Sequence, residues 1–108
     1  MNPEALKGHL DLLLLNALKG QPAHGYGVLQ RLSEQSGGTF DLSEGTIYPA
    51  LHRLEEGGLL ASQWSEAAAR RRRVYRLTPK GLRALDRRRA EWRVFARGMA
   101  AALEGGRP

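Results

Sequence analysis

The chain has no cysteine, so it can build neither disulfides nor thiolate metal sites. It also lacks any long apolar run. The leucine stretch Leu12 to Leu15 falls far short of the ~20 residues that a membrane-spanning helix needs. The opening, Met1-Asn2-Pro3-Glu4, carries no basic segment of the kind that begins a secretory signal, and a soluble, cytoplasmic protein is expected. Histidine is scarce: His9, His24 and His52 are the only three, and none stands at metal-ligand spacing from another ligand. No nucleophile elbow, phosphate-binding loop or dinucleotide fingerprint is present. An enzyme is therefore not expected, nor a cofactor or metal. The 108 residues leave room for one domain, or for one small domain and an interaction helix.

What the chain does have is positive charge, concentrated in one place. Residues 1–69 hold 4 Lys and Arg against 8 Asp and Glu, whereas residues 70–97 hold 12 against 2. A segment of net +10 is the electrostatic footprint of a polyanion binder rather than of an ordinary solvated helix, whose charges are mixed.

The most informative stretch is Leu42 to Leu59. Ser43 stands where a helix N-cap would accept from a first-turn amide, with Leu42 and Ile47 placed to close a hydrophobic staple. Gly57-Gly58 supplies the stop. Ile47, Leu51 and Leu54 form one apolar stripe, and Thr46, Tyr48, Pro49, His52 and Arg53 occupy the opposite face. A short helix with that second face suits a DNA major groove. It is not itself basic, and Pro49 inside it costs ~3 kcal/mol in an ordinary helix interior.

Two helices precede it. Residues 4–19 read as one, apolar nearly all round, with Leu12 and Leu15 on a face left over for a second subunit. Gly25 to Ser36 read as the next, with Val28, Leu29 and Leu32 turned inward. After Gly58 the period changes, and Leu59–Trp64 and Val74–Leu77 read as two strands joined by a loop ending in Arg70-Arg71-Arg72-Arg73. Three helices followed by a basic hairpin predict a winged helix. The helix would read the bases and the four arginines would meet phosphates.

Thr78-Pro79 then starts a last helix running to Leu103, with Thr78 as cap and Pro79 at its first position. Leu82, Leu85, Arg89, Trp92, Ala96, Met99 and Leu103 follow a heptad spacing over three repeats. A dimer interface is accordingly expected from Leu12, Leu15, Leu82, Leu85, Trp92, Ala96, Met99 and Leu103. The fold class is mainly α with a small β-hairpin: a winged helix-turn-helix over 1–78, a dimerisation helix over 79–104 and a frayed tail at 105–108.

Gly8-His9-Leu10-Asp11-Leu12-Leu13-Leu14-Leu15, His24-Gly25-Tyr26, the block from Leu42 to Glu55 with its Gly-Thr-Ile-Tyr-Pro-Ala-Leu core, and Tyr75-Arg76-Leu77-Thr78-Pro79-Lys80-Gly81 occur in this order. Together they resemble the PadR family of transcriptional regulators, in its short form with a single C-terminal helix. The resemblance covers roughly residues 5–103. It implies winged-helix homodimers on pseudo-palindromic operators, mostly repressors, some of which release DNA when a small aromatic ligand binds. It implies that Ser43, Thr46, Tyr48 and His52 face the groove or its phosphates and that Tyr26 meets the backbone. It further implies a place for a flat ligand at Trp92. Leu12, Asn16 and Arg89 are expected to join Trp92 there, and Arg89, an arginine in an otherwise apolar seam, is expected to bias the space toward acidic aromatic ligands. Ala67-Ala68-Ala69 departs from the family's glycines in the wing. The rival reading is a winged-helix module that binds DNA nonspecifically, or binds protein, without an effector.

Overall fold

The computed structural model describes Leu6, residues 8–66 and residues 71–105. Its elements run α1 (Leu10–Ala17), β1 (Ala23–His24), α2 (Gly25–Gln35), α3 (Glu44–Glu56), β2 (Leu60–Ser65), β3 (Arg72–Leu77) and α4 (Pro79–Leu103). The three strands form one antiparallel sheet in the order β1-β3-β2. Ala23 and Ser62 both lie opposite Tyr75, so β3 is the centre of the sheet. The expected two-stranded hairpin is thus a three-stranded sheet. Its third strand, two residues long, is too short to show an alternating pattern.

The first helix is shorter than expected. Gly8 takes a φ of +89°, a left-handed conformation that ends any helix entering from the N-terminal side, and α1 begins at Leu10. Leu14, Leu15, Ala17 and Leu18 are buried, and Leu10, Leu12 and Leu13 pack against the same core. α1 contacts α2, α3 and α4 of its own chain, so the apolar surface read as a second interface is mostly covered from within. Leu15, wholly buried, is a core residue rather than an interface residue. Leu85 is likewise wholly buried, because the first two turns of α4 lie on the core before the helix runs clear of it. Heptad spacing is the same for a core stripe and an interface stripe, and here the first two turns of α4 serve the core.

α3 continues through Pro49, with Ile47, Ala50, Leu51 and Leu54 turned inward. Gly45 and Pro49 are both exposed, so the carbonyl that proline leaves without a donor lies on the solvent side. Ser43 does not cap the helix with its side chain. Its Oγ pairs instead with Thr46 Oγ1 at 3.2 Å. The other end closes as expected: Gly58, at φ +80°, donates to the Glu55 carbonyl and Leu59 donates to the Leu54 carbonyl, both at 3.0 Å. That pair of bonds is a Schellman motif.

The end of α3 and the start of α4 are joined at one point. Thr78 Oγ1 accepts from the Gly81 amide at 3.0 Å, capping α4. The same hydroxyl faces the carbonyls of Gly58 at 2.7 Å and Leu59 at 3.1 Å, and Lys80 Nζ donates to the Gly57 carbonyl at 2.9 Å. Gly81 lies so close to this turn that a Cβ on it would stand 2.0 Å from the Leu59 carbonyl oxygen. Backbone, not a flexible side chain, would have to yield. Gly81→Ala should therefore destabilise the fold by at least ~2 kcal/mol, the scale of an overpacked core. Urea unfolding at a fixed protein concentration checks this, and an unchanged midpoint would show that α4 can shift off the turn freely.

Candidate nucleic-acid interface

α2, α3 and the β2–β3 hairpin meet around an open cleft of about 940 Å³. Tyr26 at the start of α2, Tyr48 and His52 on α3, and Arg71, Arg72 and Arg73 at the hairpin all line it. Six of the ten residues expected on this face are therefore brought together. His24, Glu44, Trp64 and Tyr75 complete the lining. Tyr26 is more than half exposed and His52 is exposed, so both rings are accessible. Tyr48 is held differently. A Cβ on Gly25 would stand 2.5 Å from its ring, so the phenol lies directly on the glycine backbone at the start of α2. The His24-Gly25-Tyr26 stretch thus seats a side chain of α3.

The other expected residues lie elsewhere. Ser43 and Thr46 pair with each other at the start of α3. Arg53 reaches away from the cleft to Asp11 on α1, at 2.6 Å, and Asp11 also meets Arg88 of α4 at 3.4 Å. Arg70 lies outside the described residues, as do Ala67, Ala68 and Ala69.

Each described wing arginine has a partner in its own chain. Arg73 Nε donates to Ser62 Oγ at 2.7 Å, and the Ser62 hydroxyl donates to Glu55 Oε2 on α3 at 2.5 Å. The guanidinium of Arg73 stands 3.8 Å from that carboxylate. Arg71 and Arg73 lie over the Trp64 ring. Arg72 Nη1 approaches His24 Nε2 at 2.8 Å. His24 is also the N-cap of α2, its Nδ1 accepting from the Gly27 amide at 3.1 Å. A neutral imidazole has one acceptor nitrogen, so it cannot accept from both donors at once. Arg72 is correspondingly loosely held. Burial, then Arg72, then Arg31 push the His24 pKa below its ordinary value of 6.5. Burial, followed by Glu55, pushes the Tyr75 phenol up.

Sequence reasoning passes over Trp64, His24 and Arg31. Arg31 clamps the turn before β1 by donating to the carbonyls of Ala17, Gln21 and Pro22 at 2.8–3.1 Å. The only signal for Trp64 is an aromatic at the end of a strand beside a run of arginines.

On the far side of the molecule, α4 carries a row of exposed apolar residues. Leu82, Trp92, Met99 and Leu103 are among them as expected, with Phe95 in addition; Ala96 is half-buried, and Val94 is exposed on the opposite face of the helix. His9, Trp92 and Phe95 cluster between α1 and α4, with ring centroids 5.3–6.0 Å apart. Beside them a largely apolar hollow of about 520 Å³ is lined by Leu12, Asn16, Arg89 and Trp92, the four residues assigned to a ligand, together with Phe40 and Phe95. Among the described residues no group of His, Asp and Glu could hold a metal ion, and no helix is long and apolar enough to cross a membrane.

Three helices, a basic antiparallel hairpin packed beside the third, and one cleft shared between them define a winged-helix protein with a helical extension. Residues 14–87 match the Transcriptional regulator PadR-like family, and the chain belongs to that family. It is 44% identical over 90 residues to Transcriptional regulator Rv3488 of Mycobacterium tuberculosis, covering 82% of this chain and 81% of that one. A PadR family transcriptional regulator from Eggerthella lenta superposes with a TM-score of 0.82 at 36% identity, over 95% of this chain and 88% of the other. Bacillus subtilis PadR, solved in complex with operator DNA, shares the fold with a TM-score of 0.66 at 23% identity, over 72% of this chain and 45% of that one.

His24 makes a testable link between the cleft and stability. A histidine whose folded-state pKa is depressed binds fewer protons when folded than when unfolded. Its stabilising contribution is present above pH ~6.5 and is lost as the pH falls through the folded value. The thermal midpoint should therefore fall as the pH drops below about 6.5. In His24→Asn, which keeps a capping acceptor, the drop should be smaller. Parallel pH profiles of the two proteins would remove His24 from this role.

Proposed function

We propose that this chain is a sequence-specific, DNA-binding repressor that acts in the cytoplasm as a homodimer on a pseudo-palindromic operator. The observation that carries this reading is the single cleft holding Tyr48 and His52 of α3 together with Arg71, Arg72 and Arg73 of the hairpin. Base-reading and phosphate-binding side chains have to share one surface, and the placement of these five on one cleft supports those roles for them. The operator complex of Bacillus subtilis PadR supports it as a precedent within the fold. The family match and the relatives from Mycobacterium tuberculosis and Eggerthella lenta, all transcriptional regulators, support a regulator rather than an enzyme.

Binding to a selected duplex, compared with a scrambled one at several salt concentrations, tests the proposal. Tyr48→Phe, which keeps the ring on Gly25, or His52→Ala should erode discrimination by ~1–3 kcal/mol while leaving nonspecific binding nearly intact. Replacing Arg71, Arg72 and Arg73 with alanine should weaken binding to every duplex. It should also flatten the salt dependence by ~0.9 in slope for each phosphate no longer neutralised. Equal losses on both duplexes from both sets would refute the division of labour. Equal, weak binding of the unaltered chain to both duplexes would instead favour a nonspecific or protein-binding module.

The dimer rests on the apolar row of α4. Leu82, Trp92, Phe95, Met99 and Leu103 are exposed along a 25-residue helix, and a second copy would cover them, together with Ala96 and Leu12. Trp92→Asp should give a monomer by sedimentation, with weaker operator binding. The hollow beside Trp92 supports release by a small aromatic ligand, with Arg89 at its edge to pair with a carboxylate. Calorimetry with benzoate-type acids should show binding that Arg89→Gln reduces, and no heat from any such acid would remove the effector from this reading.

A further inference from the structure

Trp64 is an exposed indole that belongs neither to the core nor to the apolar row of α4. It sits in β2 directly opposite Arg73 of β3. Arg71, two residues from Arg73, faces the same way. The guanidinium carbons of Arg71 and Arg73 lie 4.5 Å and 5.1 Å from the ring centroid. Arg73 is tied further through Ser62 to Glu55 of α3. A continuous set of contacts therefore runs from α3 through the hairpin to Arg71.

We propose that Trp64 is a positioning residue for DNA: its indole holds Arg71 and Arg73 as an ordered pair of cations that meets the phosphate backbone in fixed register with α3. This rests on the DNA-binding reading above for the identity of the polyanion. An arginine free in solvent loses its rotamer freedom when it docks, and a side chain ordered beforehand loses less. The ring's negative face supplies that ordering at little cost, since cation–π contacts persist at exposed sites. The indole adds no charge of its own, so its contribution separates from that of the arginines in a salt titration.

Binding of a labelled operator duplex is measured across salt for the unaltered chain, Trp64→Ala, Trp64→Phe, Arg71→Ala and Arg73→Ala. Trp64→Ala should bind roughly tenfold more weakly at fixed salt, the cost of ordering two arginines on docking, with its salt slope unchanged. Trp64→Phe, which keeps an aromatic face, should recover most of that loss. Each arginine variant should lower the slope by ~0.9. Unaltered affinity in Trp64→Ala overturns the proposal. So does a flattened slope in that variant, or failure of Trp64→Phe to recover, since either would mean that the hairpin itself had been disrupted. Elution from immobilised heparin keeps the two readings apart. If the unaltered chain binds no duplex, the DNA reading falls; earlier elution of Trp64→Ala alone would still uphold the ordered cation pair, and co-elution of all three Trp64 forms would overturn it.

Discussion

The close approach of Gly81 to the Leu59 carbonyl is the contact on which the rest depends. It is possible only without a side chain at position 81. It lets one hydroxyl, that of Thr78, cap α4 while facing the carbonyls that follow α3. Lys80 adds a cation at the C-terminal end of α3, where the helix dipole favours it. The end of the helix that faces the cleft and the start of the helix that carries the exposed apolar row are therefore fixed to the same few backbone atoms. A displacement of α4 cannot leave α3 in place without breaking this junction.

A second tie crosses the molecule at Asp11. Its carboxylate meets Arg53 of α3 and Arg88 of α4, so α1 bridges the two helices at a point distant from the turn. Arg53 is mostly exposed, and a pair of that kind contributes ~0–1 kcal/mol to stability. Its importance is geometric. Asp11, Arg53, Arg88 and Trp92 line one hollow, so this ion pair of α3 borders the same space as Trp92. Two fastenings, one through the turn that follows α3 and one through Asp11 of α1, therefore tie α3 to α4.

How legible each feature is in the sequence follows from how local it is. α2, α3 and α4 can be bounded closely, because their ends carry signals that act within a few residues: the Gly57-Gly58 stop and the Thr78-Pro79 start. The start of α1 is hidden because a glycine in a leucine-rich stretch reads as tolerable until its φ is known. Leu15 and Leu85 are assigned to the wrong surface because a stripe of apolar positions says which side is covered but not by what. Ser43 has the right chemistry for a cap, yet Thr46 competes for its hydroxyl. Tyr48 and His52 can be chosen from helical phase alone, whereas Arg53, the next residue, is drawn away by Asp11, 42 positions distant. His24 and Trp64 are invisible for a related reason. The contacts of Trp64 with Arg73 and of His24 with Arg72 are set by strand register, which no local pattern encodes. The His24 cap on Gly27, by contrast, is local and is overlooked because histidine is not an ordinary capping residue.

The wing shows why formal charge is a poor guide to binding strength. Residues 70–97 carry a large positive excess, but the described wing arginines are not idle cations. Arg73 already has Ser62 and Glu55, Arg72 has His24, and Arg71 has the Trp64 ring. Meeting a phosphate is thus, for Arg72 and Arg73, an exchange of polar partners, while the Trp64 face can stay in contact with Arg71 and Arg73. For Arg73 the standing ion pair is long, at 3.8 Å, and a phosphate at hydrogen-bonding distance would improve on it. For Arg72 the standing partner is an imidazole that already serves the Gly27 amide, so little is given up. For these two arginines the standing polar contact is weaker than a charge-assisted hydrogen bond to a phosphate would be. On the proposed DNA-binding reading, a wing built this way would hold its cations in place without withholding them from a duplex.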